Sequence, residues 1–496
     1  MISRNLLIVL LVIPVGGFRA AAQSPLPANR PNIVFIIADD LRYDGLACNG
    51  NAHIHTPHIE RLAAEGINFK HAYVTTPICS PSRASFLTGL YASTHRIYNI
   101  DTNGIGILGD RLITYPQFLR SAGYRTGFIG KWHIGFDDTR RPGFDEWISF
   151  KGQGQYRDPI VNENGTRLQL SGYMTDYLNR KAVDFVDGSV EKNPDKPFLL
   201  YLSHKAVHVP YLPASRHENN YADFRYEPPA SAADDLSDQP TADARITGTP
   251  LPFTHPKKAK FEAIENLDRL PEPQEPRWGR GKDPESNIRD QMSSLQSIDD
   301  GVGQLLATLE KHGILDQTLL VFTSDNGFLQ GEHGVFNQKR VAFEESIRIP
   351  LLMRYPALIK AGSVSDRFVL NVDLAPTFLD IAGIAVPPVI QGKSLRPLFD
   401  GPRANSVEWR KSFFAEYFME KSSRSFPSWQ MIRDGDWKYI HYPNLQEADE
   451  LYDLAADPHE MHNRIEDSDS APTVKKLKRR IDSEIGKLSK ARSNDY

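Results

Sequence analysis

The 496-residue sequence predicts an α/β fold: a large, mostly parallel sheet flanked by helices, followed by a small C-terminal antiparallel sheet plus one helix. Three observations carry this prediction. Apolar runs of strand length recur through the chain, helical patterns separate them, and after about residue 400 the pattern changes to short alternating strands.

The apolar runs share one layout. Residues 33–37 (IVFII) lead to Asp39 and Asp40, and 126–130 (TGFIG) lead to Lys131, Trp132 and His133. Residues 198–202 (FLLYL) lead to His204 and His208, and 319–323 (LLVFT) lead to Asp325 and Asn326. Each reads as a buried strand ending in a polar cluster. Helical periodicity appears over 59–64, 115–122, 175–186 and 298–312, so strands alternate with helices as a parallel sheet requires. Ligands in such sheets collect beyond the carboxyl ends of the strands, so the four clusters are expected to converge. Residues 213–285 are rich in Pro, Asp and Glu and read as long loops with short helices. Strands are expected at 412–417, 430–433, 437–441 and 450–454, with a charged helix over about 472–490. The resulting division is 1–22 leader, 23–400 main domain and 401–496 C-terminal α+β subdomain.

Composition excludes some functions. With 58 Lys and Arg against 62 Asp and Glu, net charge is −4, and no nucleic-acid partner is expected. The basic run 475–480 reads as a solvated helix face. Arg4, the apolar stretch 6–15 and Ala20-Ala21-Ala22 predict a secretory signal cleaved after Ala22, hence an exported protein, periplasmic or secreted. No other segment is apolar enough to cross a bilayer, so no integral membrane span is expected. The two cysteines are Cys48 and Cys79, and the sequon at Asn164 matters only in a host that glycosylates.

Cys79 is the most informative residue. Ser80 is expected to cap a helix, Pro81 to occupy its first position, and Phe86, Leu87 and Leu90 to form its apolar face. Cys79 then stands at a helix N-terminus, where free amides and the dipole favour an anion, with Arg83 one turn in. Asp39, Asp40, Asp325 and Asn326 offer oxygen from two strand ends, which suits a hard cation such as calcium better than zinc. Either pair by itself also reads as a turn.

Cys79-Ser80-Pro81-Ser82-Arg83 resembles the signature of the type I sulfatases, in which the Cys of Cys-x-Pro-x-Arg is oxidised to formylglycine, the catalytic aldehyde. The resemblance continues in Arg30-Pro31-Asn32, Ala38-Asp39-Asp40, the stretch 123–135 around Lys131 and His133, and Ser324-Asp325-Asn326-Gly327. Gly331-Glu332-His333-Gly334, Lys339-Arg340, Leu451-Tyr452-Asp453-Leu454 and Asp457-Pro458 extend it, so it spans roughly 30–465. It implies an alkaline-phosphatase-like sheet and a calcium ion held by residue 79, Asp39, Asp40, Asp325 and Asn326. It also implies that a formylglycine-generating enzyme acts during maturation. Arg83 and the metal would favour ionising the aldehyde hydrate, with Asp325 accepting that proton. Lys131 and Lys339 would neutralise sulfate oxygens, His208 would protonate the leaving alcohol, and His133 would take the proton of the second hydroxyl. Lys131, His208 and Lys339 are thus the implied substrate-binding residues.

Other residues keep plainer readings. His53, His55 and His58 fit capping or surface roles, His204 is close enough to His208 to share its work, and His333 reads as a loop organiser. The stretch 151–176 looks like the branch containing N-acetylglucosamine-6-sulfatases, which implies a sulfated glycan with 6-O-sulfo-N-acetylglucosamine as first choice. Pocket walls are expected from 99–110, 151–173 and the loops after Leu212. The alternatives are a phosphomonoesterase or phosphodiesterase of the same superfamily, and an exported glycan-binding protein whose Cys79 is never converted.

Overall fold

A strand buried on both faces must send alternate apolar side chains to two separate cores, and the central strand of this protein does so. In the computed structural model, which describes residues 30–100, 102, 108, 111–233, 283–399, 406–421, 423 and 425–493, strand β1 spans Asn32–Ala38. Ile33, Phe35 and Ile37 enter one core while Val34, Ile36 and Ala38 enter the other. The main sheet has ten strands. In chain order they are β1, β2 (Ile67–Phe69), β3 (Arg125–Gly130), β4 (Glu146–Ser149), β5 (Ile160–Glu163) and β6 (Thr166–Gln169). The rest are β7 (Phe198–Ser203), β8 (Thr318–Ser324), β9 (Leu351–Arg354) and β10 (Ser363–Ser365).

The strand order is β10-β2-β9-β8-β1-β7-β3-β4-β5-β6. The four apolar runs of the sequence are the adjacent central strands β8, β1, β7 and β3, and all are parallel. Their carboxyl ends therefore lie side by side. The flanking strands β9, β5 and β6 pair antiparallel, and the sequence reading missed them because they are short or exposed. The β5–β6 hairpin turns through Asn164 (φ 52°) and Gly165 (φ 97°), the Asn-Gly signal of a two-residue turn that the sequence reading passed over as a sequon.

Helices cover both faces. On one side lie α2 (Cys79–Thr88), α3 (Tyr115–Ser121) and α6 (Leu374–Ile381), contributing Phe86, Leu119 and Phe378 to the first core. On the other lie α1 (Pro57–Ala64), α4 (Met174–Lys192) and α5 (Pro284–Lys311), contributing Leu62, Leu178 and Ile298 to the second. Helix α5 begins well before the expected 298: Asp283 caps it by accepting from Ser286 N at 2.9 Å, and Pro284 fills the first position. Its first half buries Asn287, Gln291, Ser293 and Ser294, polar residues that hide the apolar period.

The C-terminal sheet is antiparallel and four-stranded, formed by β11 (Ser412–Tyr417), β12 (Trp429–Asp434), β13 (Trp437–His441) and β14 (Glu450–Asp453). One face takes Leu477, Ile481 and Leu488 of helix α7 (Ala471–Ser493) against Phe414 and Tyr439. The other packs Tyr417, Trp429 and Tyr452 on Ile78, Val341 and Phe343 of the main body. Lys475, Lys478 and Arg479 are exposed on α7, while Lys476 and Arg480 pair with Asp434 at 2.7 and 2.5 Å. No described helix is long and apolar enough to cross a membrane. The expected leader at 1–22 and much of 213–285 and 99–110 lie outside the described residues.

Candidate active site

The side chains that follow the four central strands meet at the N-terminus of α2. Helix α2 starts at Cys79, with Ile78 as the extended N-cap residue, two positions earlier than expected. Ser80 is therefore not the cap. Its hydroxyl instead donates to the His133 carbonyl at 2.6 Å, tying α2 to the loop after β3. Pro81 falls within the first turn, where its missing N–H costs nothing. Every residue of α2 is buried, which places both Cys79 and Arg83 out of water.

Arg83 holds the centre together. Its Nε and Nη2 each lie 2.8 Å from Asp325 Oδ2, its Nη1 donates to Lys131 O at 2.8 Å and to Ser203 Oγ at 2.6 Å, and Nη2 is 3.7 Å from Asp39 Oδ1. One guanidinium thus spans the ends of β8, β3, β7 and β1. Ser203, unremarked in the sequence, also donates to Lys131 O at 2.7 Å. Gly130 (φ 121°) allows this closeness, since a Cβ there would lie 1.7 Å from Ser203 O.

Three carboxylates and three cations make up the centre. Lys131 Nζ pairs with Asp39 Oδ2 and donates to Gln153 Oε1 at 2.5 Å, and Lys339 Nζ pairs with Asp40 Oδ1 and reaches Cys79 Sγ at 2.9 Å. Asp325 Oδ1 accepts Asp40 N at 3.1 Å, and Asn326 Nδ2 donates to Asp40 Oδ1 at 2.7 Å. Gln153 lies in the stretch 151–173 expected to wall the pocket, between Gly152 and Gly154 with positive φ values of 53° and 64°, and its role as partner of Lys131 is visible only in the structure. Asp40 (φ 61°) and His133 (φ 48°) both hold left-handed backbone, strain of a kind concentrated at functional sites.

Burial sets the proton affinities. It pushes the Cys79 thiol up to about 12 against the pull of Lys339 and Lys131, so an unconverted Cys79 is a neutral thiol. Burial and the neighbouring Asp39 raise Asp325 despite Arg83, whereas Asp40 is lowered although burial opposes it, chiefly by the Lys339 ammonium beside it. His133 is held well below the usual histidine value by burial and then by Lys131 and Arg83, and its Nδ1 is buried without a hydrogen-bond partner. His208 is likewise lowered by burial, with Asp40 opposing. Its Nδ1 lies 2.7 Å from Val209 O, so Nδ1 carries the hydrogen and donates it, leaving Nε2 3.6 Å from Asp40 Oδ2.

One carboxylate oxygen each from Asp39 and Asp40, the Cys79 sulfur and a His208 nitrogen lie within 4.8 Å of one another, a buried group able to hold a metal ion beside Cys79. Asn326 Oδ1 is buried here with no hydrogen-bond partner, an acceptor that a cation would satisfy. With Asp325 the donors become predominantly oxygen, which fits a hard cation. The other histidines stand apart. His204 is buried with Nδ1 unpartnered, His53 and His55 are exposed, His58 N is capped by Asp299 at 3.0 Å, and His333 stacks on Phe343 at 3.8 Å. Cys48 and Cys79 are both free thiols.

Comparison with known proteins agrees with this centre. The family described as Sulfatase matches residues 31–384, and that described as N-sulphoglucosamine sulphohydrolase, C-terminal, matches 331–487. An N-acetylglucosamine-6-O-sulfatase of Bacteroides thetaiotaomicron is 35% identical over 487 residues, covering 90% of this chain and 85% of that protein. An N-acetylglucosamine-6-sulfatase of Capra hircus is 27% identical, covering 90% and 82%. A solved complex with its substrate D-glucosamine-2-N,6-O-disulfate aligns with a TM-score of 0.79 at 34% identity, covering 93% of this chain and 98% of that one. With its sheet, its buried cysteine and these matches in agreement, the chain belongs to the sulfatase family and is a sulfuric ester hydrolase.

Proposed function

We propose that this sulfatase removes 6-O-sulfate from N-acetylglucosamine or a related glucosamine unit at the end of a sulfated glycan. In this reading it is exported to the periplasm or medium, and a formylglycine-generating enzyme has converted Cys79. The observation that carries the chemistry is the buried placement of Cys79 at a helix N-terminus, 2.9 Å from the Lys339 ammonium and 3.6 Å from Asp39. Relatives named as N-acetylglucosamine-6-sulfatases, and a similar structure solved with D-glucosamine-2-N,6-O-disulfate, support the sugar.

Asp39, Asp40, Asp325 and Asn326 would hold calcium, which supplies a Lewis acid that lowers the cost of negative charge at residue 79 and on the sulfate. Formylglycine at position 79 would supply an aldehyde whose hydrated form offers both a nucleophilic oxygen and a second hydroxyl for release of the sulfate. The chain's own residues do the rest. Charges balance among Asp39, Asp40, Asp325, Arg83, Lys131 and Lys339, so a divalent cation leaves room for an anionic ester and an ionised oxygen. Lys339, 2.9 Å from Cys79 Sγ, and Lys131, paired with Asp39, offset charge on the sulfate oxygens. His133, kept neutral by burial, is available to take a proton near residue 79. His208 directs Nε2 into the centre, and the arriving ester anion raises its proton affinity so that it protonates the leaving alcohol. A two-metal phosphatase would call on several histidines, whereas the metal-capable group among the described residues contains one, His208.

Two measurements test the reading. Mass spectrometry of the peptide spanning Cys79 in active protein should show an aldehyde or its hydrate, and activity from wholly unconverted protein would overturn the nucleophile. A panel of defined sulfated saccharides should show fastest release from terminal glucosamine-6-sulfate. A strong preference for sulfated galactose or uronate would overturn the sugar and leave the sulfatase assignment standing.

A further inference from the structure

Lys339 reaches Cys79 Sγ from a loop, and loops seldom hold a cation to the accuracy that catalysis needs. The next residue shows what fixes it. Arg340 adopts φ 85°, a left-handed conformation that is strained for a non-glycine residue and persists only where surroundings over-determine it. Both ends of Arg340 are held from the C-terminal sheet region. Its Nε pairs with Glu420, and its carbonyl accepts the Trp429 indole N–H at 2.8 Å.

Glu420 is itself fully buried and shared. Its Oε1 accepts Ile100 N at 3.1 Å, and its Oε2 takes Arg340 and the Tyr417 hydroxyl at 3.4 Å. Asn99 Nδ2 donates to Met419 O at 3.1 Å beside it. The segment after β11 therefore gathers the chain around residue 100 and the Lys339-Arg340 loop on one buried carboxylate. We propose that Glu420, assisted by Trp429, is a positioning residue for Lys339: the C-terminal sheet sets the ammonium's place against residue 79 by clamping Arg340. This rests on Lys339 acting on the transferring sulfate. Glu420 touches neither Cys79 nor the metal-capable group, so its effect on rate runs through its neighbours.

The test is a double-mutant cycle on nitrophenyl sulfate, with Glu420→Gln and Trp429→Phe each made in the wild-type and Lys339→Ala backgrounds. In the wild-type background Glu420→Gln should lower kcat by about 10- to 100-fold with little change in KM, the loss expected when a catalytic group moves by about 1 Å. In the Lys339→Ala background the same substitution should change kcat by less than about 2-fold, because its target is gone. Trp429→Phe, which removes the indole N–H together with the five-membered ring and leaves a phenyl in its place, should give a smaller kcat loss that disappears in the same way. It keeps the test intact if Glu420→Gln does not fold. Full losses persisting without Lys339, or losses that track a lowered melting midpoint in both backgrounds, overturn the proposal. A Lys339→Ala protein as active as wild type would instead overturn the role given to Lys339.

Discussion

Removing the His208 imidazole should slow the enzyme in proportion to how badly the leaving group needs a proton. His208 follows β7 and is 5% exposed, and its Nδ1–H is committed to Val209 O at 2.7 Å. The ring cannot flip without losing that bond, so Nε2 is the nitrogen presented to the centre. A positioned general acid is worth about 10² to 10⁴ in rate, or about 3–5 kcal/mol at 1.36 kcal/mol per decade. A sugar alkoxide is a poor leaving group that needs the whole of this, whereas a nitrophenolate leaves without a proton. His208→Ala should therefore cut kcat/KM on glucosamine-6-sulfate by about 10² to 10⁴ and on nitrophenyl sulfate by less than about 10-fold. The ratio between substrates is the measurement. It cancels any shared loss of folded protein from the cavity left by the ring. Equal losses on both esters would refute the acid role and leave His208 as a contributor of Nε2 to the metal-capable group.

Metal removal gives a second outcome: purified protein should contain about one hard divalent ion per chain, and a chelator should remove activity and lower the melting midpoint together. Asn326→Ala should loosen that ion, read as metal lost on dialysis, whereas retention equal to wild type would exclude Asn326 as a ligand. A third prediction concerns Glu345, whose Oε2 is buried without a partner and whose carboxyl is pushed up to about 8 by burial, Glu332 and Glu460. Between the ordinary 4.5 and about 8 the unfolded chain releases a proton that the fold retains, so stability falls as pH rises through that window. Glu345→Gln should stabilise by about 1–3 kcal/mol at pH 8 and by much less at pH 5. Thermal unfolding at the two pH values checks it, and an equal change at both would show that the carboxyl ionises normally.

The central strands were legible in the sequence because burial on both faces demands near-continuous apolar runs, as in Leu319, Leu320, Val321 and Phe322. Their polar endings were legible for a related reason: Asp39, Lys131, His208 and Asp325 stand where an apolar run stops, and parallel strands bring those stops together. Helix α7 and the C-terminal strands followed from alternation and charge. Antiparallel edges such as β6, exposed throughout, had no apolar pattern to announce them. The start of α5 was masked by buried polar residues, and Ser80 kept its propensity as a cap but spent its hydroxyl on His133. What only the tertiary structure decided is the wiring among residues distant in sequence. Ser203 and Gln153 serve Lys131, and Glu420 reaches Lys339 through Arg340 across 80 residues of chain. Local sequence carries the periodicity that burial imposes on one element. A hydrogen bond between elements leaves no period behind, and it exists only once packing has brought donor and acceptor within 3 Å in a place water cannot reach.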